Sequence, residues 1–310
     1  MSEPNFASSL ITSQHDGPHV LITGGVHGDE FEPIVAIRRL GQLLSFPNAV
    51  YPLTKGKLTL IPVVNEAAFL RGNRVADDGL DLARVCPGDP QGTVTERIAA
   101  RLSRVIETAD YYIDLHTGGV AMSVAPLVGY TLHADYHVLT KQRAMAEAFN
   151  LPIVWGTSPG LDGRSLSVAR DAKIPAIYAE YFGTAGLSNN ACEDYVDGCL
   201  NVLTWLDMVE RATPPSRVET IVEDPSPESG HLQACNPSPV TGLFEPAVEI
   251  GQRVTIGQPL GTVTELSGRS HDMTVMEDGI VLVLRTFPRV LQGHALAVIL
   301  PDPTEHLEGR

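Results

Sequence analysis

Apolar positions fall along this chain in two rhythms. Short, mostly apolar runs at Val20-Leu21-Ile22, Lys57–Val64, Tyr111–Leu115, Ile153-Val154-Trp155 and Ile174–Ala179 have the length of buried strands. Between them, 32–40, 165–172 and 191–211 show near-helical spacing, and Pro33 suits the first turn of its helix. Thr93 with Glu96 three residues on reads as a capping box, opening a helix that turns Ile98, Leu102, Val105 and Ile106 inward. The polar, glycine-bearing stretches 71–89 and 156–163 read as loops. Strands alternating with helices predict an α/β fold with a mainly parallel or mixed sheet flanked by helices.

The pattern changes at Ala212-Thr213-Pro214-Pro215-Ser216, after which helical periodicity stops and Gly, Pro, Val and Thr dominate. Two stretches there, Val254–Leu260 and Val290–Leu296, share the form V-x-x-G-x-x-L. Short strands joined by glycine turns predict a small C-terminal all-β domain, a barrel or sandwich. The expected organisation is a catalytic α/β domain over 1–212 and a β domain over 217–310. The β part is similar to the barrel-sandwich fold of lipoyl and biotinyl carriers. Those carriers attach their prosthetic group to a lysine, and no lysine follows Lys173. The expected role is therefore a lid or an assembly surface.

With 310 residues, 43% hydrophobic and 19% charged, the chain can bury a sizeable core as a soluble globular protein. A net charge of −15 argues against nucleic acid and against anionic membranes as partners. Met1-Ser2-Glu3-Pro4-Asn5 lacks the basic-then-apolar pattern of a signal peptide, and no apolar run approaches the ~20 residues of a membrane span. Cys86, Cys192, Cys199 and Cys235 form no CxxC pair, and Cys192 and Cys199 read as core thiols. A cytoplasmic setting is the expectation.

The chemistry gathers where strands end. Gly24-Gly25-Val26-His27-Gly28-Asp29-Glu30 is the turn leaving the Val20–Ile22 run, and His116-Thr117-Gly118-Gly119 leaves Tyr111–Leu115. In open α/β sheets that edge is where ligands bind. A bland reading, a glycine-rich turn with polar residues on it, stands beside the chemical one. Two imidazoles and one carboxylate from His27, Glu30 and His116 suit a catalytic zinc with an open fourth position. A hydrolase also needs a group to move the water's proton, and Glu180, expected at the end of the Ile174–Ala179 strand, is the best candidate. Arg74 could stabilise an anionic tetrahedral oxygen, and Arg84 could hold a substrate carboxylate by paired hydrogen bonds. Alternatively, both arginines neutralise Asp77, Asp78 and Asp81, and Asp114 either points with His116 or supports the fold.

Gly25–Glu30, Asp81–Gly88, Asp114-Leu115-His116-Thr117 and Ala179-Glu180, in that order, resemble the signatures of the succinylglutamate desuccinylase/aspartoacylase family. That family is a branch of the zinc carboxypeptidase fold. The resemblance implies one zinc held by His27, Glu30 and His116, Glu180 as base and then acid, Arg74 as oxyanion stabiliser and Arg84 as carboxylate anchor. Ala83 stands where the family usually has Asn, which leaves Arg84 to grip the carboxylate without that side chain. Arg164 is a candidate replacement charge, or a surface or capping arginine. The expected activity is zinc-dependent deacylation of a small N-acylated amino acid or amine by zinc-activated water. A zinc carboxypeptidase acting on peptides and a non-catalytic metal-binding protein are the alternatives. These motifs leave open the acyl group, the amine and whether the chain forms a homo-oligomer.

Overall fold

The computed structural model describes residues 6–301 except 46, 228 and 232–234; the opening pentapeptide lies outside this range. The strands of the main sheet are β1 (Ser9–Thr12), β2 (His19–Thr23), β3 (Lys57–Ile61), β4 (Tyr111–His116), β5 (Met122–Thr131), β6 (Ile153–Thr157), β7 (Ala176–Gly183) and β8 (Thr220–Glu223). Its centre runs β3-β2-β4-β7 in parallel, and β5 then lies antiparallel to β7 while carrying β6 in parallel on part of its length. The sheet is therefore mixed, as the sequence pattern predicts.

Alternate residues of each central strand feed two cores. Val20, Ile22, Leu58, Leu60, Ile113 and Ile177 pack beneath α1 (Glu32–Leu44), α4 (Tyr136–Phe149) and α6 (Asn189–Trp205). Leu21, Ile61, Tyr112 and Ala176 face α3 (Val94–Ile106) and α5 (Ser165–Asp171) on the other side. The capping box forms at the start of α3: the Glu96 amide donates to Thr93 Oγ1, and the Thr93 amide donates to Glu96 Oε2 at 2.8 Å. Asn65 caps the short α2 (Glu66–Arg71), its side chain accepting from the Ala68 amide.

β5 and α4 were not legible in the apolar pattern. Met122–Thr131 is buried along nearly its whole length, so it lacks polar alternation, and Pro126 and Gly129 read as breakers. The register slips between Val124 and Leu127 opposite β7, a bulge that accommodates Pro126.

The C-terminal part supplies two sets of strands. β9 (Gly242–Pro246), β11 (Pro259–Thr264), β12 (Ser270–Thr274) and β14 (Arg289–Val290) form an antiparallel four-stranded sheet. β10 (Arg253–Val254), β13 (Gly279–Arg285) and β15 (Ala297–Pro301) join the main sheet, where Val283 stands opposite Val124 of β5. The V-x-x-G-x-x-L repeat has a packing meaning: Val254, Leu260, Val290 and Leu296 are all buried in one cluster. Among the described residues no helix is long and apolar enough to cross a membrane.

Candidate active site

The turn after β2 is built to bring His27 and Glu30 together. The Gly24 amide donates to Ile61 of β3, and Val64 and Asn65 return hydrogen bonds to the carbonyls of Gly24 and Gly25. Gly28 is pressed onto α2: a Cβ there would fall 2.1 Å from the Ala68 carbonyl carbon, so no other residue fits. The turn thus cannot swing out, and the His27 and Glu30 side chains are driven under the surface, at 3% and 1% exposure.

His116, the last residue of β4, meets them there. Its Nδ1 lies 3.1 Å from Glu30 Oε2, and His27 Nδ1 lies 2.6 Å from Glu30 Oε1. One donor atom from each of the three falls within 4.8 Å of the others. The outer ring nitrogens point to separate carboxylates, His27 Nε2 to Asp81 at 3.0 Å and His116 Nε2 to Asp114 at 3.1 Å. Each aspartate is held in turn. Asp81 Oδ2 accepts from Arg74 Nε and Nη2, and Oδ1 accepts from the Ala83 amide. Asp114 accepts from Thr23 and Ser165.

Two imidazoles, a carboxylate between them and a carboxylate behind each imidazole form a donor set that fits a divalent metal. In this network burial opposes charge, but the two histidines hold the Glu30 carboxyl well below the usual range. Burial lowers His116, and Asp114 and Glu30 more than offset it. The same contest, with Arg74 adding to the lowering, leaves His27 raised by Glu30 and Asp81.

Glu180 lies inside β7 rather than at its end, because pairing with β5 carries the strand on to Gly183. There it stands in register beside His116 on the neighbouring strand and lines the same cleft. Burial, reinforced by the charge of Glu30, pushes its carboxyl up to about 7 against the pull of the histidines and Arg74. Arg74 also approaches Glu30, Nη1 to Oε1, at 3.8 Å. Arg74 thus neutralises Asp81 and also lines the cleft.

Arg84 closes the short 3-10 turn at Leu82–Arg84, and its Nη1 donates to the Ala83 carbonyl. Arg164 precedes α5 and donates from Nη1 and Nη2 to the Gly230 carbonyl, at 3.2 and 3.1 Å. Burial lowers the pKa of both guanidiniums, and Arg84 lowers Arg164 further. Both line the cleft that holds His27, Glu30, His116 and Glu180. Met122, Val124, Leu161 and Leu166 give it an apolar wall, and Gly230 and Val283 come from beyond residue 212.

The supporting residues were the harder part to read from sequence. Asp81 sits 54 residues from the imidazole it holds, and its neighbours in sequence suggested only charge balance. Nor does the sequence mark Asp29: its Oδ2 accepts from the Val120 amide, pinning the turn after His116, while its Oδ1 is buried without a partner among the described residues.

Residues 16–206 match the model of the succinylglutamate desuccinylase/aspartoacylase catalytic domain. The chain is 32% identical over 298 residues to the N-alpha-acetyl-L-2,4-diaminobutyric acid deacetylase of Halomonas elongata, covering 93% of this chain and 84% of that one. Among solved structures it is similar to a succinylglutamate desuccinylase/aspartoacylase from Rhodobacter sphaeroides, with a TM-score of 0.79, 29% identity and coverage of 93% and 87%. It is also similar to the product-bound ectoine utilization protein EutE (DoeB) of Ruegeria pomeroyi, with a TM-score of 0.84, 26% identity and coverage of 94% and 87%. The matched span runs from the first glycine turn past Glu180, through every strand that carries the His–Glu–His cluster. The chain belongs to the succinylglutamate desuccinylase/aspartoacylase family.

Proposed function

We propose that this protein is a zinc-dependent deacylase that cleaves the amide bond of a small N-acylated amino acid. The observation that carries the reading is the convergence of His27, Glu30 and His116 on one point, with Glu180 beside His116 in the same cleft. The deacetylase activity named for the Halomonas relative supports the same reaction class.

His27, Glu30 and His116 would hold the metal, one per chain. When bound, zinc supplies a Lewis acid that polarises the amide carbonyl and makes a water acidic at neutral pH. Glu180 takes the proton of the attacking water and delivers it to the departing nitrogen; a carboxyl near 7 is poised for both transfers. Arg74, already fixed by Asp81, presents its remaining positive charge to the oxygen that becomes anionic. Arg84 and Arg164, which line the same cleft, receive the substrate's carboxylate. Ala83 leaves the grip to these two.

The catalytic part spans 1–212 in this reading. The β part from 217 onward, barrel-sandwich-like in its small sheet, acts as a wall, because Gly230 and Val283 close one side of the cleft. That closure favours a small substrate over a peptide.

Glu180→Gln tests the assignment. The variant keeps the size and packing of the side chain and removes its basicity. The expected result is loss of turnover with metal content unchanged. Wild-type activity in that variant would refute the proton-transfer role.

A further inference from the structure

Tyr178 lines the cleft two residues before Glu180 on β7, so both side chains leave the same face of the strand. Its ring lies across Gly129, the residue opposite it on β5: a Cβ built at Gly129 would fall 2.1 Å from Cζ and 2.3 Å from the phenol oxygen. Only glycine leaves that room, so the two strands are shaped around this one phenol. The deeply buried tyrosines use their hydroxyls. Tyr112 meets Thr23, Tyr130 donates to Glu223 and Tyr195 donates to the His116 carbonyl. Tyr178 is half-buried, its ring packed on the core and its side chain lining the cleft, and its hydroxyl meets no donor or acceptor among the described residues.

Its surroundings say what it could meet. Burial, then the charge of Glu180, raises the phenol's pKa, so it stays a neutral donor, while Arg164 is close enough to pull the other way. Among the described residues the Arg164 guanidinium donates to the Gly230 carbonyl, feels the repulsion of Arg84 and is drawn by Tyr178, Asp81 and Glu180. A phenolic donor and three guanidiniums, Arg74, Arg84 and Arg164, therefore line one cleft, with Glu30 and Glu180 as the acidic residues among its described lining. Both of those belong to the reacting end. The complementary ligand group is a carboxylate on the substrate.

We propose that Tyr178 is a substrate-contacting residue whose hydroxyl donates a hydrogen bond to the carboxylate of the N-acylated amino acid, beside Arg164. The inference rests on the deacylase reading given above. It makes the phenol a determinant of ground-state binding, with no part in proton transfer.

The test is Tyr178→Phe, which keeps the ring over Gly129 and removes one oxygen. The probes are the N-acetyl-L-amino acid that the wild type turns over fastest and its primary carboxamide, assayed with metal-loaded enzyme. A lost hydrogen bond to a charged group predicts a KM for the carboxylate raised at least about ten-fold, with kcat retained. The KM for the carboxamide should not change. The ratio of the two KM values does not depend on the folded fraction, so a modest loss of stability leaves the comparison intact. An unchanged ratio, or a fall in kcat for both probes with KM kept, overturns the inference and leaves the deacylase reading standing. No wild-type hydrolysis of any N-acetyl amino acid overturns both.

Discussion

At the scale of single residues, the two imidazoles of the candidate metal site depend on what stands behind them. His27 and His116 each present Nδ1 to the Glu30 carboxylate and are held at Nε2 by Asp81 and Asp114. Such outer carboxylates orient the ring and raise its basicity as a ligand. Asp114→Asn preserves the shape and removes the charge; it is expected to weaken zinc binding by roughly 10–100-fold, measured by competition with a chelator. Unchanged affinity would mean that Asp114 serves only Thr23 and Ser165. Gly28 gives a second prediction at this scale. A Cβ at 2.1 Å from the Ala68 backbone cannot be absorbed by a rotamer change, because both partners are main chain. Gly28→Ala should cost at least about 1–3 kcal/mol in thermal or denaturant unfolding and should reduce metal retention. His27, Glu30 and His116 were legible in the sequence because glycine turns at strand ends announce them. Asp81, Asp29 and Tyr178 were not, because the partner that gives each its meaning is distant in sequence or on another strand.

At the scale of elements, β5 decides the shape of the site, and it is the element the sequence concealed. A strand buried on both faces, bent by Pro126 and thinned at Gly129, shows neither alternation nor a clean apolar run. By pairing with β7 it extends that strand past Glu180, which explains why the apolar pattern placed the glutamate at an end. The outer side of β5 and β6 is fixed by a small polar network. Tyr130 on β5 donates to Glu223 on β8 at 2.7 Å, and Arg143 on α4 binds both oxygens of the same carboxylate, each at 2.7 Å. Neither Glu223 nor Arg143 lines the cleft. Glu223→Ala is therefore expected to lower stability by about 1–3 kcal/mol, leaving buried donors unpaired, while KM per folded enzyme stays unchanged. A shifted KM with stability intact would show that the network reaches the substrate.

At the scale of the whole molecule, the change of pattern at 212–216 is real in the sequence, yet β8, β10, β13 and β15 beyond it join the main sheet. β13 covers the edge of β5 through the Val283–Val124 register, and Gly230 and Val283 line the cleft. Sequence periodicity reports which face of a strand is buried but not which strand will pair with it, so this return could not be read beforehand. A chain ending at 212 would bare the β5 and β6 edges, a template for association. Its expected behaviour is aggregation on size-exclusion chromatography and loss of deacylation; a monomeric, active 1–212 fragment would contradict the role given to the C-terminal strands.

The most direct test of a zinc site at His27, Glu30 and His116 is the metal content of the purified protein, by elemental analysis, beside a His116→Ala variant. The account predicts about one zinc per wild-type chain and its loss in the variant, as an open three-ligand site requires. Wild-type protein that holds no metal even after zinc is added back would contradict it.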